Sequence, residues 1–146
     1  MLRLAGGEAI RYTVLRPVAP ATHSAHETAL RVLRHLAAAD IEAAALLSNA
    51  PKRRYEVLRN FLLSVGEIEF KRVFGQYLFP ENHAIAEIAI GPRRLIIWDL
   101  GEAGHRLTGQ YYVEVDGRFL MDDVPGEARR ELQRVLAAYR AGTAPH

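Results

Sequence analysis

The 146-residue chain lacks cysteine, so it can form no disulfide, no thiolate metal site and no cysteine nucleophile. It also lacks long apolar runs, because the longest are of strand length, such as residues 95–98, against the ~18 residues of a membrane span. Its first residues contain no apolar stretch of the kind found in a signal peptide. We therefore expect no membrane association and a cytoplasmic location by default, or a periplasmic or secreted one if a leader had been removed.

Lysine is scarce and occurs only at positions 52 and 71, so arginine carries nearly all of the positive charge. Hydrophobic residues make up 49% and charged residues 25% of the chain, which is typical of a globular domain and excludes a disordered one. Basic and acidic residues are interspersed, so no nucleic-acid partner is expected. The length and the absence of repeats predict a single domain over residues 1–146.

Helical signals dominate residues 24–79. Residues 8–16 alternate between apolar and polar and predict a strand. Ser24 and Glu27 then have the spacing of a capping box, in which a hydroxyl and a carboxylate satisfy free backbone N–H groups at a helix start. Asp40 has the character of a second N-cap, and Pro51 suits the first turn of a third helix.

Residues 83–123 predict an antiparallel β-meander, with strands at about 84–90, 94–100, 106–115 and 118–122. Asp116-Gly117 is a strong hairpin signal, because a type I′ turn requires a positive φ at both central residues. A final amphipathic helix is predicted over residues 125–141. The fold class is therefore α+β, with helices first and a meander second.

Two segments carry a resemblance to a known family. They are the helix pair at 29–47, with the run LAAADIEAA at 36–44, and the hairpin GQYYVEVDGRFLMDD at 109–123. Together they resemble the NTF2-like (cystatin-like) superfamily, whose helices pack into the concave side of a strongly curved antiparallel sheet. The resemblance covers roughly residues 25–123 and implies that fold with an added N-terminal strand and C-terminal helix. It assigns no function, since the superfamily contains isomerase-like, dehydratase-like, hydrolase-like, transport and structural members.

The hairpin turn predicts which side chains share a face of the sheet. One face would carry the pairs Val115/Arg118, Val113/Leu120 and Tyr111/Asp122, and the other Glu114/Phe119 and Tyr112/Met121. We expect the first face to be the concave one, because it is the more apolar, with Val113 and Leu120 packed against Phe61 or Leu62.

Of the side-chain pairs that this register predicts, an acid beside a phenol is the one best suited to catalysis. Tyr111 opposite Asp122 could polarise a carbonyl or move a proton, because burial raises the pKa of a carboxylic acid. Asp99 is a third catalytic candidate, since it alternates with the apolar residues of its strand. For each acid we favour a structural role, as a carboxylate at the rim or as one that holds a turn. Trp98, Tyr111 and Phe61 are the expected ligand-binding residues.

Metal and cofactor sites are not expected. The six histidines are scattered, and no phosphate-binding glycine motif follows a strand. A basic helical surface is formed by Lys52, Arg53, Arg54, Arg59, Lys71 and Arg72. Glutamates interrupt it, so an ion-paired, solvated face is favoured over a binding surface.

Three functional hypotheses follow. The first is a non-catalytic module that binds a small apolar ligand or a protein partner and forms a homodimer through its sheet, since residues of both parities at 95–100 are apolar. The added N-terminal strand at 8–16 and the C-terminal helix at 125–141 could instead cover the second face. The second hypothesis is a cofactor-free lyase or isomerase using Asp99, Tyr111 and Asp122, which a closed cavity of a few hundred Å³ holding two of them would favour. The third is an interaction protein that uses the arginine-rich helix face.

Overall fold

The computed structural model describes residues 2–3, 9–15, 23–101 and 106–142, and within them the chain is an α+β fold. Four helices precede the meander and a fifth follows it. They are α1 (Ala25–Ala37), α2 (Ile41–Ala45), α3 (Pro51–Val65), α4 (Glu67–Gly75) with a 3₁₀ turn (Gln76–Leu78), and α5 (Glu127–Arg140). The strands are β1 (Leu2–Arg3), β2 (Ala9–Ile10), β3 (Thr13–Leu15), β4 (His83–Ile90), β5 (Arg93–Asp99), β6 (Leu107–Val115) and β7 (Arg118–Met121).

The helix starts follow the capping signals of the sequence. The Ser24 hydroxyl accepts the Glu27 N–H at 3.0 Å, as the capping box predicts. The Glu27 carboxylate reaches back to the N–H of His23, one residue before the N-cap, at 2.6 Å. Asp40 caps α2 by accepting the Ala43 N–H at 3.1 Å, and α3 begins at Pro51. The predicted starts of α1, α2 and α3 are confirmed.

The meander forms an open five-stranded antiparallel sheet in the order β3-β4-β5-β6-β7. The stretch expected to be one strand contains two short strands with different partners: β2 pairs with β1 in a separate pair, whereas β3 pairs with β4. The ends of that predicted strand, residues 8 and 16, lie outside the described residues.

The hairpin between β6 and β7 has the predicted register. Asp116 and Gly117 have φ values of 52° and 78°, as a type I′ turn requires. Val113 lies opposite Leu120 and Tyr112 opposite Met121. The pairing continues one residue past β7, where the Asp122 N–H donates to the Tyr111 carbonyl at 2.9 Å.

The choice of concave face was wrong. Tyr112, Met121, Ile96 and Trp98 form the core beneath α1, α3 and α4, and Phe61 and Leu62 pack against it. Because neighbouring residues of a strand point to opposite faces, Val113 and Leu120 lie on the other side of the sheet. Hydrophobicity could not distinguish the faces, since residues 95–98 are buried at both parities.

Helix α5 covers the second face of the sheet. Its residues Leu132, Val135 and Leu136 pack with Leu95 and Ile97. A Cβ atom on Gly109 would lie 2.7 Å from Leu136 Cδ2 and 2.8 Å from Leu95 Cδ1, so the absence of a side chain there lets α5 approach closely. The sheet is thus the middle of three layers. The alternative in which the added N-terminal segment and C-terminal helix provide the cover is confirmed, since Ile10 and Tyr12 pack on this face as well.

None of the helices in the described ranges is long and apolar enough to span a membrane.

Candidate functional site

A cavity of about 190 Å³ lies at the edge of the sheet, where β7 stops short of the start of β6. β7 pairs with residues 112–115 only, so the described chain places no strand beside the first half of β6 on that edge. Helices α1, α3 and α4 wall the cavity on one side through Leu36, Leu58 and Phe74. On the other side α5 contributes Arg129, so the cavity runs around the edge from one face of the sheet to the other.

A partly buried tyrosine, Tyr77, and a fully buried one, Tyr112, line this cavity in opposite hydrogen-bonding states. Tyr77 accepts a hydrogen bond from the Thr108 hydroxyl at 3.0 Å. Tyr112 is fully buried, and its hydroxyl has no hydrogen-bond partner among the described residues. Burial raises the pKa of both phenols, and that of Tyr112 most strongly, so each stays a neutral donor at physiological pH.

Asp122 lines the cavity, and together with the next residue it belongs to what we call the aspartate clamp. The clamp consists of Asp122 and Asp123 with Arg93, Arg54, Ser48 and Asn49. Asp122 is ion-paired with Arg93 and accepts from Asn49 Nδ2 at 3.0 Å. Asp123 is ion-paired with Arg54 and accepts from the Ser48 hydroxyl at 2.5 Å. The Asn49 side chain also accepts the Asp123 N–H at 2.8 Å. The clamp ties the segment before α3 to the end of β7.

Tyr111 and Asp122, the predicted acid–phenol pair, both line the cavity. Their side chains share no hydrogen bond among the described contacts, and each oxygen of Asp122 is already engaged by Arg93 or Asn49. The Tyr111 ring carries the Arg129 guanidinium 5.6 Å from its centroid, and burial raises the pKa of its phenol. In this arrangement the Asp122 carboxylate is a charged anchor.

Asp99 lies elsewhere. Its carboxylate accepts the Gly101 N–H at 2.9 Å, which holds the turn after β5. It borders a different cavity, of about 500 Å³, together with Tyr139 and Arg140. The structure therefore brings two of the three catalytic candidates together and leaves Asp99 at the opposite end of β5.

The three expected ligand-binding residues do not share a site. Trp98 donates to Gln110 Oε1 at 2.9 Å and borders a third cavity, of about 290 Å³. Phe61 packs between Phe70 and Phe74, with ring centroids 5.7 and 6.0 Å away. Of the three, the cavity at the edge of β6 contains Tyr111.

Ion pairs occupy much of the basic helical surface. Lys71 pairs with Glu67 at 2.7 Å and Arg72 with Glu69 at 2.5 Å, one helical turn apart. These cations lower the pKa of both glutamates. Arg54 belongs to the aspartate clamp.

Within the described residues, no group of three or more histidine, aspartate and glutamate side chains could hold a metal ion.

The cavity residues that the sequence did not predict include Arg54, Tyr77, Tyr112 and Arg129. Tyr112 carried a signal, since Tyr111 and Tyr112 are adjacent and one of them had to face the helices. Arg54 and Arg129 gave none, because arginines at helical spacing are usually solvated.

Comparisons with protein-family models, with curated proteins and with solved structures found no match.

Proposed function

We propose that the chain is an NTF2-like module that binds a small, mainly apolar ligand in the cavity at the edge of β6, without catalysing a reaction. The unpartnered hydroxyl of Tyr112 carries this proposal. Leaving a buried polar group without a hydrogen bond costs about 1–3 kcal/mol. A ligand with an acceptor atom in the cavity would remove that cost, whereas a phenylalanine would avoid it without any ligand.

The dimensions and walls of the cavity support a small ligand. A volume of about 190 Å³ exceeds the ~150 Å³ that accommodates a benzene ring in an engineered protein cavity. Leu36, Leu58, Phe74 and Met121 provide apolar contact surface. The position between the helices and the sheet agrees with the cone expected from the NTF2-like resemblance, and the α+β order of elements supports that resemblance.

The geometry favours binding over a lyase or isomerase reaction. A proton-transferring carboxylate must be within reach of the substrate and able to change its protonation state. Asp122 has one oxygen on Arg93 and the other on Asn49, so both oxygens are already held by protein groups and neither is left free for a substrate. Asp99, the other acid, is absent from the cavity lining.

A cavity-filling variant tests the proposal. Toluene, an apolar probe of suitable size, should raise the melting temperature of the wild-type chain and perturb the NMR signals of Leu58 and Met121. Leu58→Phe, which places a larger side chain in the cavity, should abolish both effects. Leu63→Phe makes the same substitution on the exposed side of α3 and should leave both intact. Equal toluene responses in wild type and Leu58→Phe would contradict binding in this cavity.

Homodimer formation through the sheet remains a prediction. Its motive was an apolar second face, which α5 covers within the chain. The particle mass by light scattering, compared with the 16.3 kDa of one chain, decides the oligomeric state.

A further inference from the structure

The charges around the cavity do not balance. Arg54 is paired with Asp123, and Asp122 is paired with Arg93. Arg129 also lines the cavity, and the described residues place no carboxylate within salt-bridge distance of it. Its Nε is buried without a hydrogen-bond partner. One positive charge at the cavity is thus left uncompensated.

Two hydrogen-bonding groups of the cavity are buried and unpartnered, and each of them can donate. The Tyr112 hydroxyl and the Arg129 Nε are both buried and unpartnered. The acceptor groups are engaged, since Gln110 Oε1 accepts from Trp98 and the Asp122 oxygens from Arg93 and Asn49. A ligand with acceptor atoms and a negative charge would satisfy both groups at once.

We infer that the ligand is a small carboxylate with an apolar body about the size of an aromatic ring, held by Arg129 through its charge and by Tyr112 as a second donor. This inference rests on the proposed function of the cavity. The body would lie against Leu58 and Phe74, and the ring of Tyr111 keeps the Arg129 guanidinium in place at 5.6 Å. Ring-sized apolar bodies suit the aromatic walls, since aromatic groups pack edge-to-face or in offset stacks.

Three probes of similar size separate charge from shape: benzoate, its neutral analogue benzamide, and toluene. In calorimetric titrations of the full chain, benzoate should bind at least tenfold more tightly than either neutral probe. Its affinity should fall between 50 and 500 mM salt, because mobile ions screen the attraction to Arg129, while the affinity for toluene should not fall.

Variants at neighbouring positions of α5 show which arginine attracts the carboxylate. Arg129→Met should remove the preference for benzoate over toluene, whereas Arg129→Lys, which keeps the charge, should retain most of it. Arg130→Met is the matched control, because Arg130 is exposed and pairs with Glu127 at 3.1 Å. It should bind all three probes as the wild type does. Tyr112→Phe should weaken benzoate by about tenfold and leave toluene unchanged.

The outcomes separate the two proposals. If toluene binds the wild type and benzoate binds no more tightly, or if Arg129→Met keeps the benzoate preference, the carboxylate inference is overturned and the binding function stands. If none of the three probes binds the wild type, both are overturned. A melting temperature of Arg129→Met or Arg129→Lys that matches the wild type in the absence of probes shows that the variant is folded.

Discussion

At the scale of single residues, the contrast between Tyr77 and Tyr112 is the most informative feature. Both phenols line the same cavity, but the partly buried Tyr77 is hydrogen-bonded to Thr108 and the fully buried Tyr112 has no partner among the described residues. A satisfied buried hydroxyl contributes to stability, whereas an unsatisfied one reduces it. The two residues should therefore respond oppositely to the same substitution.

Replacing each tyrosine by phenylalanine tests this contrast. Tyr112→Phe should leave the free energy of unfolding at pH 7 unchanged or raise it by up to about 1 kcal/mol, because it removes a desolvated group. Tyr77→Phe should lower it by about 1 kcal/mol, because it removes the bond to Thr108. Urea denaturation measures both values. A loss of more than ~1 kcal/mol in Tyr112→Phe would show that its hydroxyl has a stabilising partner.

The raised pKa of Tyr112 predicts instability at alkaline pH. Below about pH 10 this tyrosine is neutral in both the folded and the unfolded chain, so it adds no pH dependence. Above about pH 10 it ionises in the unfolded chain and stays protonated in the folded one, so the free energy of unfolding falls as pH rises. Tyr112→Phe should lose less stability than the wild type between pH 9 and pH 11. Identical losses would contradict the assignment.

The turn between β6 and β7 gives a backbone prediction. Gly117 has a φ of 78°, so Gly117→Val should lower the free energy of unfolding by about 1 kcal/mol or more. Gly75 ends α4 with a φ of −64° and open space around it, so Gly75→Val should change stability little. Thermal denaturation of the two variants makes the comparison. An unchanged melting temperature in Gly117→Val would refute the turn and the register that depends on it.

At the scale of elements, the aspartate clamp joins parts of the chain that are distant in sequence. Arg54 and Asp123 are 69 positions apart, and Ser48 and Asp123 are 75 apart. The clamp also covers the open side of β7, because Met121 exchanges backbone hydrogen bonds with Leu47 and Asn49. Its members hold the cavity wall made by α3 against the end of the hairpin.

Removing one carboxylate should be costly in the clamp and harmless on the surface. Asp123→Ala should lower the free energy of unfolding by about 2–3 kcal/mol. This is somewhat below the cost at a fully buried pair, because the Arg54 side chain is 27% exposed. Glu127→Ala breaks the exposed pair with Arg130 and should cost less than about 1 kcal/mol. Chemical denaturation distinguishes the two, and equal effects would mean that the clamp is no stronger than a surface pair.

Local signals in the sequence predicted the elements, whereas the site depended on contacts that local signals do not carry. Ser24, Asp40 and Asp116-Gly117 act on backbone groups within four residues, so they are readable from the sequence. The sequence did not show which face of the sheet α1–α4 cover, because β5 is buried on both sides and its residues do not alternate in character. The ion pairs of Arg54 and Arg93 were equally hidden, since many arginines could have reached the two aspartates.

At the scale of the whole molecule, the protein is a sheet between two unequal helical layers. Four helices cover one face, while α5 and the short segments around Ile10 cover the other. The second layer is thin, so each apolar contact of α5 protects a large share of the sheet beneath it.

A charge on the inner side of α5 should separate that layer from the sheet. Val135→Asp places an unpaired carboxylate at a fully buried position and should lower the free energy of unfolding by about 3 kcal/mol or more, with increased binding of a hydrophobic dye. Gln133→Asp introduces the same side chain on the exposed side of α5 and should alter neither property by much. If the two variants behave alike, α5 does not cover the sheet.

Because α5 follows all the strands of the sheet in the chain, it becomes available to cover them only late in synthesis. All five strands of the sheet are synthesised before the 14 residues of α5. At about 5–20 residues per second, those residues take roughly one to three seconds to make. During that interval Leu95 and Ile97 lack the cover that α5 provides, and the nascent sheet offers chaperones an apolar target. Slow codons between positions 123 and 140 would lengthen this interval and raise the yield of aggregated protein without changing a single amino acid.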